Sequence, residues 1–225
     1  MDKKNLILCF SSLRPSNFPK DKLLEREANY NLSLKWLLKS LPNNWDIIYN
    51  DNSLSSLDEL ENTELKEQLK SLNTILHNNN HGEINKGAGE HDMCRKSFLS
   101  VNINDYNWVT YFTARHIIPN SLYFDKLDSY FNTYNAVMSN PPFYYLNYKE
   151  SKSADLLYND MLFSMKSETF KKFVDTIDVN DLKVRHKSSE KHLYEFINEN
   201  EINKFELNEL GILRNDHQSF GWHLV

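Results

Sequence analysis

Short apolar runs alternate with longer stretches in which leucine returns every third or fourth position. Leu6–Phe10 is an unbroken apolar run, the pattern of a buried strand, and it ends in the polar loop Ser11-Ser12-Leu13-Arg14-Pro15. Leu34, Leu37, Leu38 and Leu41 stand at i, i+3, i+4 and i+7. That spacing predicts one face of a helix, stopped by Pro42 and Asn43. Trp45–Tyr49 predicts a second strand, closed by the turn Asn50-Asp51-Asn52-Ser53. Leu57, Leu60, Leu65 and Leu69 predict another amphipathic helix, and Thr74-Ile75-Leu76-His77 a third short strand. A helix near Gly89–Leu99 and an aromatic, β-branched strand at Trp108–Phe112 follow. Strands alternating with helices predict an α/β fold, Rossmann-like, with a mostly parallel sheet flanked by helices. Right-handed crossovers then place the strand-end loops along one edge, where open sheets of this type bind ligands.

The second half is less regular. Pro119-Asn120-Ser121 predicts a helix start, Asn140-Pro141-Pro142 an extended turn, and Phe143-Tyr144-Tyr145-Leu146 a strand. Leu157, Met161 and Met165 predict a helix with Asp160 near its beginning. Phe170, Phe173, Val174 and Ile177 predict another, with Ser167 as N-cap, and Leu193, Phe196 and Ile197 a last one. The C-terminal part therefore reads as helical. With no repeat, low-complexity tract or linker, residues 1–225 read as one domain: about 5–130 carry the ligand loops, and about 131–225 form the rest.

Composition narrows the classes. At 225 residues, 40% hydrophobic and 13% aromatic, the chain has material for a well-formed core. A net charge of −5 lacks the basic footprint of general nucleic-acid binding. Cys9 and Cys94 fit no zinc or redox spacing, and Cys9 belongs to an apolar run. Met1-Asp2-Lys3-Lys4 leads into five apolar residues, too few for a signal peptide or a membrane span. The expectation is a soluble, cytoplasmic protein with no transmembrane segment. Its oligomeric state leaves no signature.

Gly82–Glu90 holds three of the five glycines: Gly82, Gly87 and Gly89. A glycine turn opening a helix exposes backbone N–H groups to an anion. Asn85-Lys86-Gly87-Ala88-Gly89-Glu90 therefore reads as a phosphate- or sugar-facing turn; the ordinary alternative is a flexible start to a helix. Polar groups collect on the same rim: Ser11, Ser12 and Arg14 after the first strand, Asn50, Asp51 and Ser53 after the second, His77 at the end of the third, and Thr113, Arg115 and His116 after the fourth.

The order of these residues resembles the nucleotide-binding half of GT-A glycosyltransferases, especially the family-2-like enzymes of polysaccharide synthesis. Asn50-Asp51-Asn52-Ser53 is similar to that group's Asp/Asn-Gly-Ser turn, and Asn85-Lys86-Gly87 to its Asn-x-Gly turn. Its Asp-x-Asp motif, which holds a divalent cation against the diphosphate, has as counterpart Thr113-Ala114-Arg115-His116, without a carboxylate. The resemblance covers roughly residues 5–130 and implies a nucleotide-sugar donor and a carbohydrate acceptor. It implies donor contacts from Ser11, Ser12, Arg14, Asn50, Asp51, Ser53, His77, Asn85, Lys86, Gly87, Gly89, Glu90, Thr113 and His116, with Asp51 toward base or ribose. It also implies Arg115 as the group that neutralises the leaving diphosphate and Asp160 as acceptor base. No metal ligand is assigned; manganese or magnesium stays open.

Each residue also has an ordinary role. Arg115 suits a surface ion pair, Asp160 a helix N-terminus favoured by the dipole, and Glu90 and Asp92 the first turn of their helix. Lys86 and Arg95 suit solvent or phosphate. His77, His81 and His91, with Glu83, Glu90 and Asp92, invite a metallohydrolase reading, although no His-Glu-x-x-His motif appears. A noncatalytic nucleotide- or sugar-binding domain of the same fold is the other alternative. The C-terminal stretch Asn215–His223 suits stacking on a sugar ring or docking of the terminus.

Overall fold

The computed structural model describes residues 3–79, 81–139, 143–144, 156–158, 160–185, 187–208, 210–216 and 221–224. In chain order its strands and α-helices are β1 (Lys4–Ser11), α1 (Leu23–Ser40), β2 (Trp45–Asp51), α2 (Thr63–Ser71), β3 (Asn73–Leu76), α3 (His81–Ile84), α4 (Lys86–Leu99), β4 (Tyr106–Thr113), α5 (Leu122–Tyr130) and β5 (Ala136–Ser139). There follow β6 (Phe143–Tyr144), β7 (Leu156–Leu157), β8 (Leu162–Lys166), α6 (Ser167–Asp175), α7 (Val179–Val184), α8 (Ser189–Glu199), β9 (Lys204–Leu207), β10 (Leu213–Asp216) and β11 (Gly221–Leu224).

Seven strands form one sheet in the order β3-β2-β1-β4-β8-β5-β9. The first four are parallel, β8 runs antiparallel between β4 and β5, and β9 is parallel to β5. β1 sits centrally with Leu6–Phe10 buried, which is why its sequence is apolar without alternation. Ile7 and Cys9 enter the core with Tyr30, Leu34, Leu65 and Phe124, under α1, α2 and α5. Leu6, Leu8 and Phe10 enter the opposite core with Met93, Phe170, Phe173 and Phe196, under α4, α6 and α8. Both cysteines are free and buried.

The expected mostly parallel sheet is present, and so are the helices expected after Pro119 and over the Phe170 and Leu193 rows. That half also supplies β5, β8 and β9, which the pattern did not predict. The helix drawn through Leu157, Met161 and Met165 is instead strand β8. Its segment is buried on both faces between β4 and β5, and a short buried strand has the same apolar run as a short buried helix. Leu38 is 40% exposed and Leu41 lies past the end of α1, so the buried row is Tyr30, Leu34, Leu37. Leu57 belongs to a 3-10 turn, and α2 starts only at Thr63, where Asn62 Oδ1 accepts from Leu65 N at 3.0 Å. Lys166, not Ser167, stands at the N-cap position of α6, and its side chain makes no cap hydrogen bond.

The glycine turn is not a turn. Gly87 and Gly89 are inside α4, Gly82 is inside α3, and among the described glycines only Gly211 has positive φ. Pro119 precedes α5 by three residues. Asn140-Pro141-Pro142, Tyr145-Leu146, Asn159 and His217–Phe220 lie outside the described residues. Before them, Leu213 forms a bridge with Ile117, with N–H···O distances of 2.9 and 2.8 Å, so the C-terminal segment docks beside the loop after β4.

Candidate functional site

Because β1 to β4 run parallel, their carboxyl ends share one edge, and a cleft of about 980 Å³ opens there. Its floor and walls come from Phe10, Ser11, Ser12, Arg14 and the 15–18 loop, from Asn52 and Ser53, from Asn78 and Asn79, from α3 and α4, and from Thr113 and Arg115. Of the residues expected to meet a ligand, Ser11, Ser12, Arg14, Ser53, Lys86, Glu90, Thr113 and Arg115 line it. Asn50, Asp51, His77, Asn85, Gly87, Gly89, His116 and Asp160 do not.

The Asp51 carboxylate points into the fold, between the loops after β1 and β2. It is fully buried, with one carboxylate oxygen accepting from Ser11 Oγ and Leu13 N, both at 2.7 Å. The other accepts from Ser53 N at 2.7 Å and from Ser53 Oγ and Leu54 N at 2.8 Å. Asp51 thus clamps the loops after β1 and β2 into cleft walls by satisfying three backbone N–H groups. Asn50 is equally interior: its amide donates to Cys9 O at 3.2 Å and Ile48 O at 3.3 Å, and its carbonyl pairs with His77 Nε2 at 3.0 Å and Ser97 Oγ. Burial holds the His77 imidazole below its ordinary pKa.

Asn85 caps α4 by accepting from Ala88 N at 3.2 Å, and its amide donates to Leu182 O and Lys187 O, both at 3.0 Å. It joins α4 to the chain entering α8. The glycines serve close approach. A Cβ on Gly87 would stand 2.7 Å from Ser189 N, and one on Gly89 2.8 Å from Gly82 N and 2.9 Å from Asn52 Nδ2. The N-terminal turn of α4 is therefore wedged between α8 and α3, and Lys86 and Glu90 are carried at the cleft wall.

Four cations line the cleft, and their partners differ. Arg14 donates to Glu27 Oε1 at 2.7 Å and to Glu61 Oε1 at 2.5 Å. Arg26 Nε donates to Ser12 O at 2.8 Å, and its guanidinium lies over the Phe18 ring at 4.7 Å and the Tyr30 ring at 5.4 Å. Lys86 pairs with Glu90 Oε1 at 3.4 Å. Its side chain is 61% exposed, inside the concavity rather than buried, and Glu90 is the main reason its pKa is raised. Arg115 has no carboxylate within ion-pair distance among the described residues; its Nε donates to His116 Nε2 at 3.3 Å. His116 is fully buried, and its carbonyl accepts from Ser33 Oγ. It contacts Arg115 from the interior.

Asp160 lies just before β8, not at a helix start. β8 begins where β4 ends, with Thr113 N donating to Met161 O at 2.9 Å, so Asp160 is held at the same rim. It is buried and accepts from Ser189 Oγ. Burial first, then the negative charges of Glu190 and Glu90, push its carboxyl up to about 8. Tyr111 OH donates to Glu90 Oε2 at 3.3 Å.

His77, His81 and His91 do not gather as a ligand set. His91 packs against Phe173 and His192 in the interior, with ring centroids 5.6 and 5.1 Å away. His81 Nε2 is 3.8 Å from Asp92 Oδ2, and Asp92 is occupied by Asn79 Nδ2 at 3.0 Å and Lys96 Nζ at 2.8 Å. Among the described residues no three His, Cys, Asp or Glu side chains gather as metal ligands. The cleft lining carries four cations and two carboxylates; Glu90 is paired with Lys86 and Glu83 accepts from Ser16 Oγ, a donor set short of the carboxylate cluster that a hard divalent cation favours.

Arg26, Phe18 and Tyr30 were not legible as cleft residues. The i, i+4 spacing of Arg26 and Tyr30 on α1 was the available signal; the arrival of Phe18 from the preceding loop had none.

A parallel four-strand edge, a reversed β8 and a cleft at the carboxyl ends define the architecture. Pyrobaculum calidifontis mannosyltransferase PcManGT, solved with GDP-Man and Mn2+, superposes with a TM-score of 0.63 at 7% identity, over 98% of this chain and 59% of that one. The fold is GT-A. A protein of Desulfovibrio desulfuricans G20, assigned as a nucleotide-diphospho-sugar transferase, gives 0.55 at 16% identity over 92% of this chain and 80% of its own. Mouse xyloside xylosyltransferase 1 gives 0.51 at 10% identity, over 91% and 85%. No family model matches this chain, and no curated protein resembles it in sequence. At these identities the likeness establishes the GT-A fold and leaves chemistry to the site. Among the described residues no helix is long and apolar enough to cross a membrane.

Proposed function

We propose that this GT-A chain is a glycosyltransferase that moves a sugar from a nucleotide-diphosphate donor to a carbohydrate acceptor, using cationic side chains in place of a divalent metal. The observation that carries the reading is Arg115: a guanidinium at the end of β4, in the cleft, oriented by buried His116 and free of any carboxylate among the described residues. Ser11, Ser12 and Ser53, on loops clamped by Asp51, face the nucleoside. Lys86 and Arg115 receive the diphosphate, and Glu90 holds Lys86 in place.

The step is a direct displacement. The acceptor oxygen forms a bond to the anomeric carbon and gives its proton to Asp160, while the carbon–oxygen bond to the diphosphate breaks and the nucleoside diphosphate leaves with the electron pair. Negative charge grows on the leaving group in the transition state, where a fixed guanidinium in a low-dielectric cleft acts most strongly. Asp160 takes the proton only when ionised, so kcat/KM rises with pH toward the carboxyl's value of about 8.

The test is Arg115→Ala with a panel of nucleotide sugars, assayed with manganese and with chelator. The expected result is a loss of about 10²–10³ in kcat with a smaller change in donor affinity, as for other preorganised donors to a transition-state charge. Equal losses in both would reduce Arg115 to an anchor, and activity that vanishes with chelator would overturn the metal-free reading. The carboxylate-free Thr113-Ala114-Arg115 also favours a second reading, a noncatalytic donor-binding module of the same fold. Slow hydrolysis of the donor without acceptor separates the two, since a binding module releases no nucleoside diphosphate.

A further inference from the structure

We propose that the first turn of α8 controls the proton on Asp160, with Ser189 as a positioning residue that donates to the carboxylate and Glu190 as the charge that opposes its ionisation. The inference rests on Asp160 being the acceptor base, and it deepens that reading by naming the residues that tune it.

The geometry singles out Ser189. Its hydroxyl donates to Asp160 Oδ2 and stands 3.4 Å from Glu190 Oε2. Both Ser189 and Asp160 are buried, at 4% and 7% exposure, so the contact is shielded from water and stronger for it. Three contacts hold the turn. Gly87 leaves room for Ser189 N, Ser188 Oγ accepts from Lys191 N at 3.2 Å, and Asn85 Nδ2 donates to Lys187 O at 3.0 Å. The donor is thus fixed by the same packing that forms the cleft wall, and Gly87 ties the two together.

The charges facing Asp160 come from two helices and a strand. Lys86 of α4 favours the ionised form, Glu90 of α4 and Glu190 of α8 favour the protonated one, and Ser189 sides with ionisation by hydrogen bonding. Tyr111 of β4 lies in the same field, and Arg115 opposes the charge of Lys86. Adjacent residues 189 and 190 therefore act on one carboxyl in opposite directions. A base must take the acceptor's proton and later release it, and opposed neighbours hold the carboxyl between those needs.

The test follows the Asp160 carboxyl directly by carbon-13 NMR titration, with its signal assigned from Asp160→Asn, alongside the pH profile of kcat/KM. Ser189→Ala should move the carboxyl midpoint alkaline by about one pH unit, and Ser189→Thr should restore it. Glu190→Gln should move it acid. The rising limb of kcat/KM should follow each shift. Midpoints that stay put, or that move the same way in both variants, overturn the proposal; if Ser189→Ala fails to fold, Glu190→Gln alone decides. Carboxyl shifts without a matching shift of the rate limb support the control of Asp160 and remove its role as base, so the two readings fail separately.

Discussion

Replacing Gly87 by alanine sets a gain against a clash. In a helix interior, alanine is favoured over glycine by about 1 kcal/mol. Here the new methyl would lie 2.7 Å from Ser189 N and 3.2 Å from Ser189 Cβ and Oγ, against ordinary contacts of about 3.4–4 Å. The nearest atom is backbone, at the start of an 11-residue helix, so relief requires α4 and α8 to separate by several tenths of an ångström. Overpacking of this kind costs about 1–3 kcal/mol, and the backbone obstacle puts it in the upper half. The expected net loss is about 1–2 kcal/mol, or about 2–8 °C in Tm for a domain of this size. Gly89→Ala, with Gly82 N at 2.8 Å, should behave alike. Gly82→Ala is the control: its methyl would meet only the end of the Asn52 side chain, at 3.3 Å. It should be neutral or slightly stabilising. Thermal melts of the three variants check this. A Gly87 variant as stable as the parent, beside a Gly82 variant that is weaker, would refute the packing argument.

Other predictions follow the buried polar groups. Asp51→Ala strands three backbone N–H groups and two hydroxyls, and should cost about 3–5 kcal/mol by urea unfolding. A loss under about 1 kcal/mol would show that the two loops hold without it. Asn85→Ala removes a cap and two ties to the chain before α8, and should cost about 2–3 kcal/mol in the same assay. The Asp160 carboxyl is raised from 3.8 to about 8, chiefly by burial. The native state therefore keeps a proton that the unfolded chain releases. Its stability contribution is intact below about pH 4 and falls as pH rises to about 8, with a slope of at most about 1.4 kcal/mol per pH unit. Asp160→Asn should flatten that limb and be the more stable protein at pH 8; parallel pH profiles would contradict it.

How much was legible depends on whether the cause is local. The run Leu6–Phe10 declared β1 because both faces of a central strand are buried, and the alternation around it declared the α/β class. The polar loops after the strands were legible as a group, because parallel strands must deliver their ends to one edge. Ser11, Ser12, Arg14, Ser53, Lys86, Glu90, Thr113 and Arg115 do line one cleft. Asp51 and His116 are buried and hydrogen-bonded inside the fold; the same residue type at the same loop serves a ligand or braces the loop, and the chain alone does not show its hydrogen-bond partners.

Some assignments needed partners distant in the chain. Met161–Met165 is apolar in either a strand or a helix, and the gap between β4 and β5 makes it β8. The Gly82–Gly89 cluster was a visible signal with a hidden meaning: glycine marks a place where something must come close, and the chain alone does not say whether that is a ligand, a turn or another helix. At Gly87 the something is Ser189, about a hundred residues later, and at Gly89 it is Gly82 and Asn52. Periodicity and composition reach as far as the next turn of helix or the next residue of strand. Steric fit, burial and the field at Asp160 are sums over atoms from several elements, and those exist only once the chain has folded.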